Sequence, residues 1–299
     1  MKKSLFQTTL SSLRKITPLA IRQQIGPILA KIWEINRINR PHIFSIDETI
    51  DILTKTDMSM IRFGDGEISI VDGESLPFQK HSDYLAYRLQ EIITSFEPGL
   101  LICIPGMWDL SVFEDYARKF INHHLYRYKH VWDKVIYPGR AYGDTNVTRH
   151  YLAYKDKSKA KERFDKIKSV WEGKSVILIE GEKSRLGVGN DLFDGVSSLK
   201  RILFPAENAF GKVLESHFVG IDIILLSLGP AAKVLGYDLY KAGYRVIDIG
   251  HIDMEYEMFL RGETKQVKVP GKYFNEINER NPEDCTDEKY LSQIIEVIK

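Results

Sequence analysis

Two carboxylates lie two residues apart where a predicted strand runs into a turn. Asp65 and Glu67 follow an apolar segment, residues 58–63, that is typical of a strand. A divalent cation held by one or two carboxylates is a common way to bind a diphosphate. The turn is therefore a candidate phosphate and cation site, and a plain glycine turn with two solvated acids is the alternative. Its residues are Arg62, Gly64, Asp65, Gly66 and Glu67.

A glycine-rich loop follows the next predicted strand of interest, residues 176–179. Glycines let backbone N–H groups approach phosphates closely, so the loop is a candidate cradle for a nucleotide. It lacks the third glycine of the dinucleotide fingerprint, and the chain has no Gly-Lys-Ser/Thr of a P-loop. An ordinary connection between strand and helix is the alternative. The candidate residues of this loop are Arg185, Gly187, Gly189, Asn190 and Asp191.

A glycine and a proline follow the predicted strand 223–228 and open a helix. Gly229 and Pro230 thus mark a helix N-terminus that suits a phosphate or a ribose. An ordinary helix start with proline in the first turn explains the same pattern. The arginines considered for phosphate binding are Arg62, Arg140, Arg149, Arg185 and Arg201.

One imidazole and several carboxylates follow the last predicted strand, residues 245–249. If the chain stays extended, His251, Asp253 and Glu255 point to the same side, because alternate residues of a strand share a face. Such a row is a candidate metal or general-base site. A solvated helix start with acids in its first turn is the alternative.

Strands and helices that alternate along the chain position these residues. Besides the strands above, the pattern predicts strands at residues 100–104 and 201–204. It predicts helices at residues 46–53, 82–96, 112–132, 158–171 and 290–298. Two further helices are predicted to end at residues 217 and 242. Alternating strands and helices imply parallel strands with right-handed crossovers. We therefore expect an α/β fold: a Rossmann-like, mostly parallel sheet with helices on both faces, plus an N-terminal helical extension.

The N-terminal extension, residues 1–42, is basic. Residues 1–40 hold eight Lys or Arg residues and one acid, and apolar residues recur at helical spacing. Such a segment can contact an anionic membrane surface or dock as a helix on the domain or a partner. The rest of the chain carries a net charge of about −6, which argues against a nucleic-acid partner.

The bulk composition indicates a globular protein of a reducing compartment. The two cysteines, Cys103 and Cys285, form no CxxC motif or disulfide framework. No apolar stretch reaches the roughly 20 residues of a membrane-spanning helix, and we find no signal peptide. We therefore expect a cytoplasmic protein, with peripheral contact at the inner face of the membrane through residues 1–42.

Four motifs occur together in one order: Arg-Phe-Gly-Asp-Gly-Glu at 62–67, Gly-x-Gly-Asn-Asp-Leu at 187–192, Leu-Gly-Pro-x-Ala at 228–232 and Asp-Ile-Gly-His-Ile-Asp-x-Glu-Tyr-Glu at 248–257. In this combination the chain resembles the GT-D fold glycosyltransferases of bacterial adhesin glycosylation and surface-polysaccharide clusters. The resemblance runs from about Ile46 to Gly262, and Met258 departs from it where an aromatic residue is more familiar. It divides the chain into the extension 1–42, a GT-D-like domain 43–265 and a polar, helical tail 266–299 packed on that domain.

The resemblance implies transfer of a hexose from a UDP-sugar, of the UDP-glucose or UDP-galactose class, to a glycan, glycoprotein or lipid-linked acceptor. It implies an Asp-x-Glu motif, here Asp65 and Glu67, that serves Mn²⁺ or Mg²⁺ and the donor, with His251 as a further metal ligand. Glu255 or Asp253 is then the catalytic base. A homodimer is also expected. Two alternatives stay open: a non-catalytic module that binds nucleotide sugars or carbohydrates, and a metal-dependent phosphohydrolase.

Overall fold

A computed structural model describes residues 41–211, 218–277 and 282–299. The basic extension, apart from Pro41 and His42, lies outside the described residues, as does the end of the helix predicted up to residue 217. Among the described residues, no helix is long and apolar enough to cross a bilayer.

Nine strands form one sheet in the described part of the chain, and every pair of neighbours is parallel. The sheet order is β1-β4-β3-β2-β8-β7-β5-β6-β9. The strands are β1 His42–Ile43, β2 Ser59–Arg62, β3 Leu100–Ile104, β4 Ala141–Asp144, β5 Ser175–Gly181, β6 Ser198–Phe204, β7 Ile223–Ser227, β8 Val246–Asp248 and β9 Ile294–Val297.

Eight α-helices lie in the described ranges, and they cover both faces of the sheet. They are α1 Ile46–Lys55, α2 Asp65–Val71, α3 Asp83–Thr94, α4 Asp115–Val135, α5 Ala160–Lys168, α6 Pro230–Lys241, α7 Ile252–Leu260 and α8 Glu288–Gln293. Strand β3 is buried along its whole length, as expected of a parallel strand covered on both sides. The predicted α/β, Rossmann-like fold class is therefore confirmed.

Successive residues of the strands point to opposite faces of the sheet and so pack into two hydrophobic core layers. One layer joins α1, α5 and α7 to one face of the sheet, and the other joins α2, α3, α4 and α6 to the opposite face. The neighbouring strands β2 and β8 are thus followed by helices, α2 and α7, that leave toward opposite faces. A crevice opens where adjacent strands send their connections apart, and ligands of open α/β sheets bind there.

The C-terminal segment corrects one prediction. Residues 290–298 were expected to form a helix, but helix α8 ends at Gln293 and the chain continues as β9. Here Ile294 and Glu296 face inward while Ile295 and Val297 are half exposed, which is the two-residue period of a strand. Pairing of β9 with the free edge of β6 outweighs the weak helical pattern.

Candidate functional site

A cleft of about 670 Å³ lies at the carboxyl ends of β2, β4, β5, β7 and β8. Its polar end lies at the crevice between β2 and β8. The loops that follow these strands supply most of the polar lining, because parallel strands present all their carboxyl ends at the same edge of the sheet. The rest of the cleft runs between the segment 76–79 and helix α4, where the lining is apolar.

Four buried charges of alternating sign form the floor of the polar end. Lys233, in the first turn of α6, donates to Glu67 at 3.1 Å and to Asp248 at 3.0 Å. Arg62, at the end of β2, lies 3.3 Å from Asp248 through Nη2 and donates from Nε to the Asp248 carbonyl at 2.8 Å. Burial raises the pKa of Asp248, but Lys233 and Arg62 together outweigh it and hold that pKa below its usual range. The network therefore keeps two cations fixed beneath the cleft.

Asp65 and Glu67 have different surroundings although they are two residues apart. They lie in the first turn of helix α2, for which Gly64 is the N-cap, and Glu67 accepts the Gly64 N–H at 2.8 Å. With its other oxygen on Lys233, Glu67 is fully engaged. Asp65 instead reaches the solvent of the cleft. The cleft walls still desolvate the Asp65 carboxylate, which raises its pKa, and nearby Arg149 only partly offsets this.

On the opposite side of the polar end, Arg149 lies close to two carboxylates, Glu255 and Glu276. It follows the 3₁₀ turn Thr145–Thr148, and its guanidinium lies 3.0 Å from Glu276 and 4.0 Å from Glu255. Burial raises the pKa of Glu276, but Arg149 and His251 together outweigh it, so that pKa is lowered. Glu276 comes from the 3₁₀ turn Asn275–Ile277, so three distant segments meet here.

Glu255 is held by one oxygen and open at the other. Its Oε2 accepts the N–H groups of Tyr151 at 3.2 Å and Leu152 at 3.1 Å, while Oε1 faces Arg149. Burial raises the pKa of Glu255, and Arg149 opposes it without cancelling it. His251 also lines the cleft, and burial lowers its pKa, which favours the neutral imidazole.

The predicted extended row of His251, Asp253 and Glu255 is corrected, because this segment is helical. His251 is the N-cap of α7, and Asp253 and Glu255 lie in the first turn of the helix. Residues four apart share a helix face, so His251 and Glu255 face the cleft while Asp253 and Glu257 face away. The alternative of a solvated helix start is right about the helix and wrong about the solvation, because Asp253 and Glu255 are buried.

Asp253 belongs to a buried polar network and not to the cleft. It accepts from Lys272 at 2.7 Å, from the Gly187 N–H at 2.8 Å and from Asn190 Nδ2 at 2.8 Å. Asn190 and Lys272 also donate to Glu257. The contacts of Asp253 thus tie α7 to the glycine-rich loop, and both of its carboxylate oxygens are occupied by protein donors.

The glycine-rich loop is likewise not brought to the cleft. Arg185 donates to the carbonyls of Gly271 and Glu283 at 2.7 and 2.5 Å, and Asp191 accepts from Tyr256 and Lys168. Only the start of the loop, at Gly181 and Ser184, lines the cleft. The structure therefore corrects the expected position of Arg185, Gly187, Gly189, Asn190 and Asp191, none of which lines the cleft.

The structure brings the other predicted residues together. Those that line the cleft are Arg62, Gly64, Asp65, Gly66, Glu67, Gly229, Pro230, His251 and Glu255. Sequence reasoning missed Lys233, Asp248 and Glu276, and it named Arg149 only among several arginines. Lys233 directly follows the 228–232 motif and Asp248 opens the 248–257 motif, so both could have been found, but Glu276 carries no local signal.

The chemistry of the cleft fits a single divalent cation. Among the described residues, no three His, Cys, Asp or Glu side chains surround one point. Asp65 offers one open carboxylate, and such ions often take one or two carboxylates while phosphate oxygens complete the shell. Glu67 is a poor ligand while it is paired with Lys233. The ionised acids of the cleft and its floor outnumber the cations by about two charges. The acids are Asp65, Glu67, Asp248, Glu255 and Glu276, and the cations are Arg62, Arg149 and Lys233. A bound diphosphate would increase this negative charge, and a divalent cation would balance it.

The fold and the cleft define a Rossmann-like α/β protein with a ligand site at the switch point of a parallel sheet, where a carboxylate and fixed cations meet. A family model described as the glycosyltransferase GT-D fold matches residues 60–277. The chain belongs to this GT-D fold family of glycosyltransferases.

Two curated relatives and two solved structures agree with this assignment. The glycosyltransferase GlyD of Streptococcus pneumoniae serotype 4 is 40% identical over 258 residues, which are 84% of this chain and 32% of that protein. The probable glycosyl transferase Gly of Streptococcus gordonii is 37% identical over 270 residues, 85% of this chain and 38% of that protein. The chain thus spans about a third of the length of these relatives.

The solved structures match over nearly their whole length. A glycosyltransferase from Streptococcus sanguinis, of domain of unknown function 1792, superposes with a TM-score of 0.82 at 36% identity, covering 87% of this chain and all of that one. A second structure of the same domain, described as a distinct glycosyltransferase fold, gives 0.84 at 34% identity and covers 90% and 99% of the two chains.

Proposed function

We propose that the protein transfers a hexose from a UDP-sugar, of the UDP-glucose or UDP-galactose class, to a hydroxyl group of a glycan or glycoprotein acceptor in surface polysaccharide or adhesin glycosylation. One observation carries the proposal. The open carboxylate Asp65, the fixed cations Arg62 and Lys233 and the half-open carboxylate Glu255 surround one cleft at the switch point of the sheet. Family membership supports glycosyl transfer, and the donor and acceptor classes are part of the proposal.

The diphosphate of the donor would lie over the charged network of Arg62, Glu67, Lys233 and Asp248. Lys233 and Arg62 would face its negative charge, and the N-terminus of α6 at Gly229 and Pro230 adds the positive end of a helix dipole. Mn²⁺ or Mg²⁺ held by Asp65, with His251 of the same cleft as the proposed further ligand, would neutralise charge on the departing nucleotide. Arg149, on the other wall, lies where it can stabilise charge that develops between donor and acceptor.

Glu255 is the proposed base for the acceptor hydroxyl. The backbone N–H groups of Tyr151 and Leu152 fix its orientation, and its other oxygen faces the cleft. A carboxylate whose pKa is raised by burial is a stronger base than a solvated one, which suits proton abstraction near neutral pH. Asp253 is not proposed for this role, because Lys272, Gly187 and Asn190 occupy it.

A donor screen tests the proposal. The purified chain, treated with a chelator, is incubated with a panel of nucleotide sugars with and without added Mn²⁺ or Mg²⁺, and release of the free nucleotide is measured. UDP-hexoses should give release that depends on the added metal, and Asp65→Asn should abolish it. No release from any nucleotide sugar would contradict the proposed activity.

The two alternatives predict other results. A non-catalytic module would bind a nucleotide sugar, which raises its melting temperature, without releasing nucleotide. A metal-dependent phosphohydrolase would cleave simple phosphoesters, and its two-metal sites use more ligands than the described residues bring to one point. The raised pKa values of Asp65 and Glu255 in one cleft favour catalysis over mere binding.

The cellular setting is also proposed. We place the protein in the cytoplasm, with residues 1–42 in contact with the inner face of the membrane, where a lipid-linked acceptor is also accessible. A homodimer remains part of this proposal, and sedimentation of the full chain would test it.

A further inference from the structure

Two exposed aromatic side chains lie on the wall of the cleft. Tyr116 and Phe120 are one turn apart on helix α4, and both line the cleft. Their exposed fractions are 57% and 55%, although aromatic rings bordering a cavity usually gain by burial. Residues four apart on a helix are neighbours, so the two rings form one surface, which we name the aromatic ledge.

The ledge is firmly supported from below. The Phe120 ring stacks on the ring of His124, with centroids 6.5 Å apart and planes inclined by 14°. His124 is itself buried and accepts the Trp132 indole N–H at 3.1 Å. The inner side of the same helix start packs through Phe113 and Ala117, which are both buried. The Phe120 ring is therefore held from behind by His124, and both rings present an exposed face to the cleft.

The ledge and the proposed base share the cleft. Glu255 and Arg149 interact electrostatically with the Tyr116 hydroxyl, whose pKa is raised first by burial and then by Glu255. Glu255, Arg149, Tyr116 and Phe120 all line the same cleft. A molecule lying on the ledge would thus hold its nearest hydroxyl groups beside Glu255.

The chemistry of the ledge suits a sugar ring. One face of a pyranose presents C–H groups that pack on an aromatic ring, while its hydroxyl groups need polar neighbours at the edge. The cleft supplies such neighbours through Arg149, Glu255 and Glu276, which line it together with the two rings. A lipid chain covering these charged groups would offer them no hydrogen bonds, which is costly.

We propose that the aromatic ledge of Tyr116 and Phe120 is the acceptor subsite, where a saccharide stacks with the hydroxyl to be glycosylated directed at Glu255. This proposal adds an acceptor site to the proposed transfer activity, and its role in catalysis rests on that activity. Glycan binding by the ledge, however, needs no donor and is measured separately.

The test uses the full chain and an array of defined immobilised oligosaccharides, without donor. Wild type should be retained by a subset of glycans, and Tyr116→Ala and Phe120→Ala should each weaken retention by about tenfold, with the double variant losing it. Tyr116→Phe keeps the ring and should bind nearly as wild type does. Tyr87→Ala is the matched control, because Tyr87 is a 63% exposed tyrosine on α3 outside the cleft.

Transfer assays with the retained glycans complete the test. The alanine variants should raise the acceptor KM about tenfold while the donor KM and the donor hydrolysis rate stay unchanged. Retained glycans without nucleotide release would refute the proposed transferase and leave the ledge as a saccharide site. The ledge is refuted by unchanged glycan binding in the double variant, by no retention of wild type, or by ring-dependent binding to polyprenyl phosphate vesicles in place of glycans.

Discussion

At the scale of single residues, the carboxylates around the cleft are of two kinds: some are closely paired with a lysine or arginine, and others are not. Glu67 and Asp248 are neutralised by Lys233 and Arg62 and need no ligand. Asp65 forms no salt bridge in the part of the chain that the structure describes, and the nearest cation to the open Glu255 oxygen, Arg149, is 4.0 Å away. Paired acids hold the fold in place, and desolvated acids without a close cation are costly, which is a common mark of a functional site.

The first residue-scale prediction concerns Glu255→Gln. It should lower kcat by roughly 10²–10⁴-fold with donor binding nearly unchanged, because a general base is lost while the side chain stays similar in shape. Wild-type kcat should rise with pH through the folded-state pKa of Glu255, which lies above the usual range, since the base must be ionised. The variant should lose this rise in a pH profile.

Asp253→Asn is the comparison for Glu255→Gln. Asp253 bonds to Lys272 in the interior, so this change should lower the free energy of unfolding by about 1–3 kcal/mol and leave kcat within a few-fold of wild type. A large loss of kcat in Asp253→Asn with none in Glu255→Gln would reverse the two assignments.

The second residue-scale prediction is that Asp65→Asn abolishes transfer and stabilises the fold. The folded-state pKa of Asp65 is raised, so its ionised form costs stability at pH values above that pKa, and Asn removes the cost. The gain in melting temperature should be full near pH 7.5, shrink as the pH falls, and vanish below about pH 3, where Asp65 is protonated in both the folded and the unfolded state. Asp83→Asn, at the fully exposed first position of α3, should show no such gain.

At the scale of elements, the position of a side chain depends on whether its segment is a strand or a helix. The segment after β8 was expected to be extended, and as a helix it turns Asp253 away from Glu255. The local sequence could not decide this, because Ile252, Met254 and Tyr256 alternate with polar residues as in a strand. Burial of these apolar residues against the α5 layer, which is a tertiary effect, selects the helix.

The element-scale prediction concerns the turn between β8 and α7. Gly250 has φ +43°, and a Cβ there would overlap the Arg62 guanidinium. Gly250→Ala should therefore displace Arg62 and raise the donor KM at least tenfold, besides straining the backbone. Gly243 also has a positive φ, +95°, but open space around it, so Gly243→Ala should cost stability without changing the donor KM. Equal KM values in both variants would contradict a role of Arg62 in donor binding.

At the scale of the whole molecule, the basic extension and the domain should have separable functions. A chain starting at Pro41 should lose co-sedimentation with anionic liposomes, since basic residues near such a surface contribute roughly 1 kcal/mol each. High salt should have the same effect on the full chain, and nucleotide release by the truncated chain should stay at the wild-type level. Equal pelleting of both chains would favour a docked helix over membrane contact.

Much of the fold could be predicted from the sequence, because apolar runs such as Leu100–Ile104 and clear helix starts such as Ser45 carry local signals. The candidate site could be predicted only where its residues follow strands, as Asp65 and His251 do. Lys272 and Glu276 could not, since their place beside α7 depends on how a distant segment returns to the sheet. Strand β9 was missed for the same reason.

The pairing of β2 with β8 also determines when the cleft can form during synthesis. Met60 pairs with Ile247, and the Arg62 guanidinium depends on Asp248, 186 residues later in the chain. A ribosome adds about 5–20 residues per second, so Arg62 is exposed without its partner for roughly 10 seconds or more. Contacts between residues so far apart in the chain form slowly. The charged network beneath the proposed donor site is therefore among the last parts of the molecule to assemble. A nascent chain that stops before Val246 holds the Asp65 carboxylate but has no catalytic crevice around it.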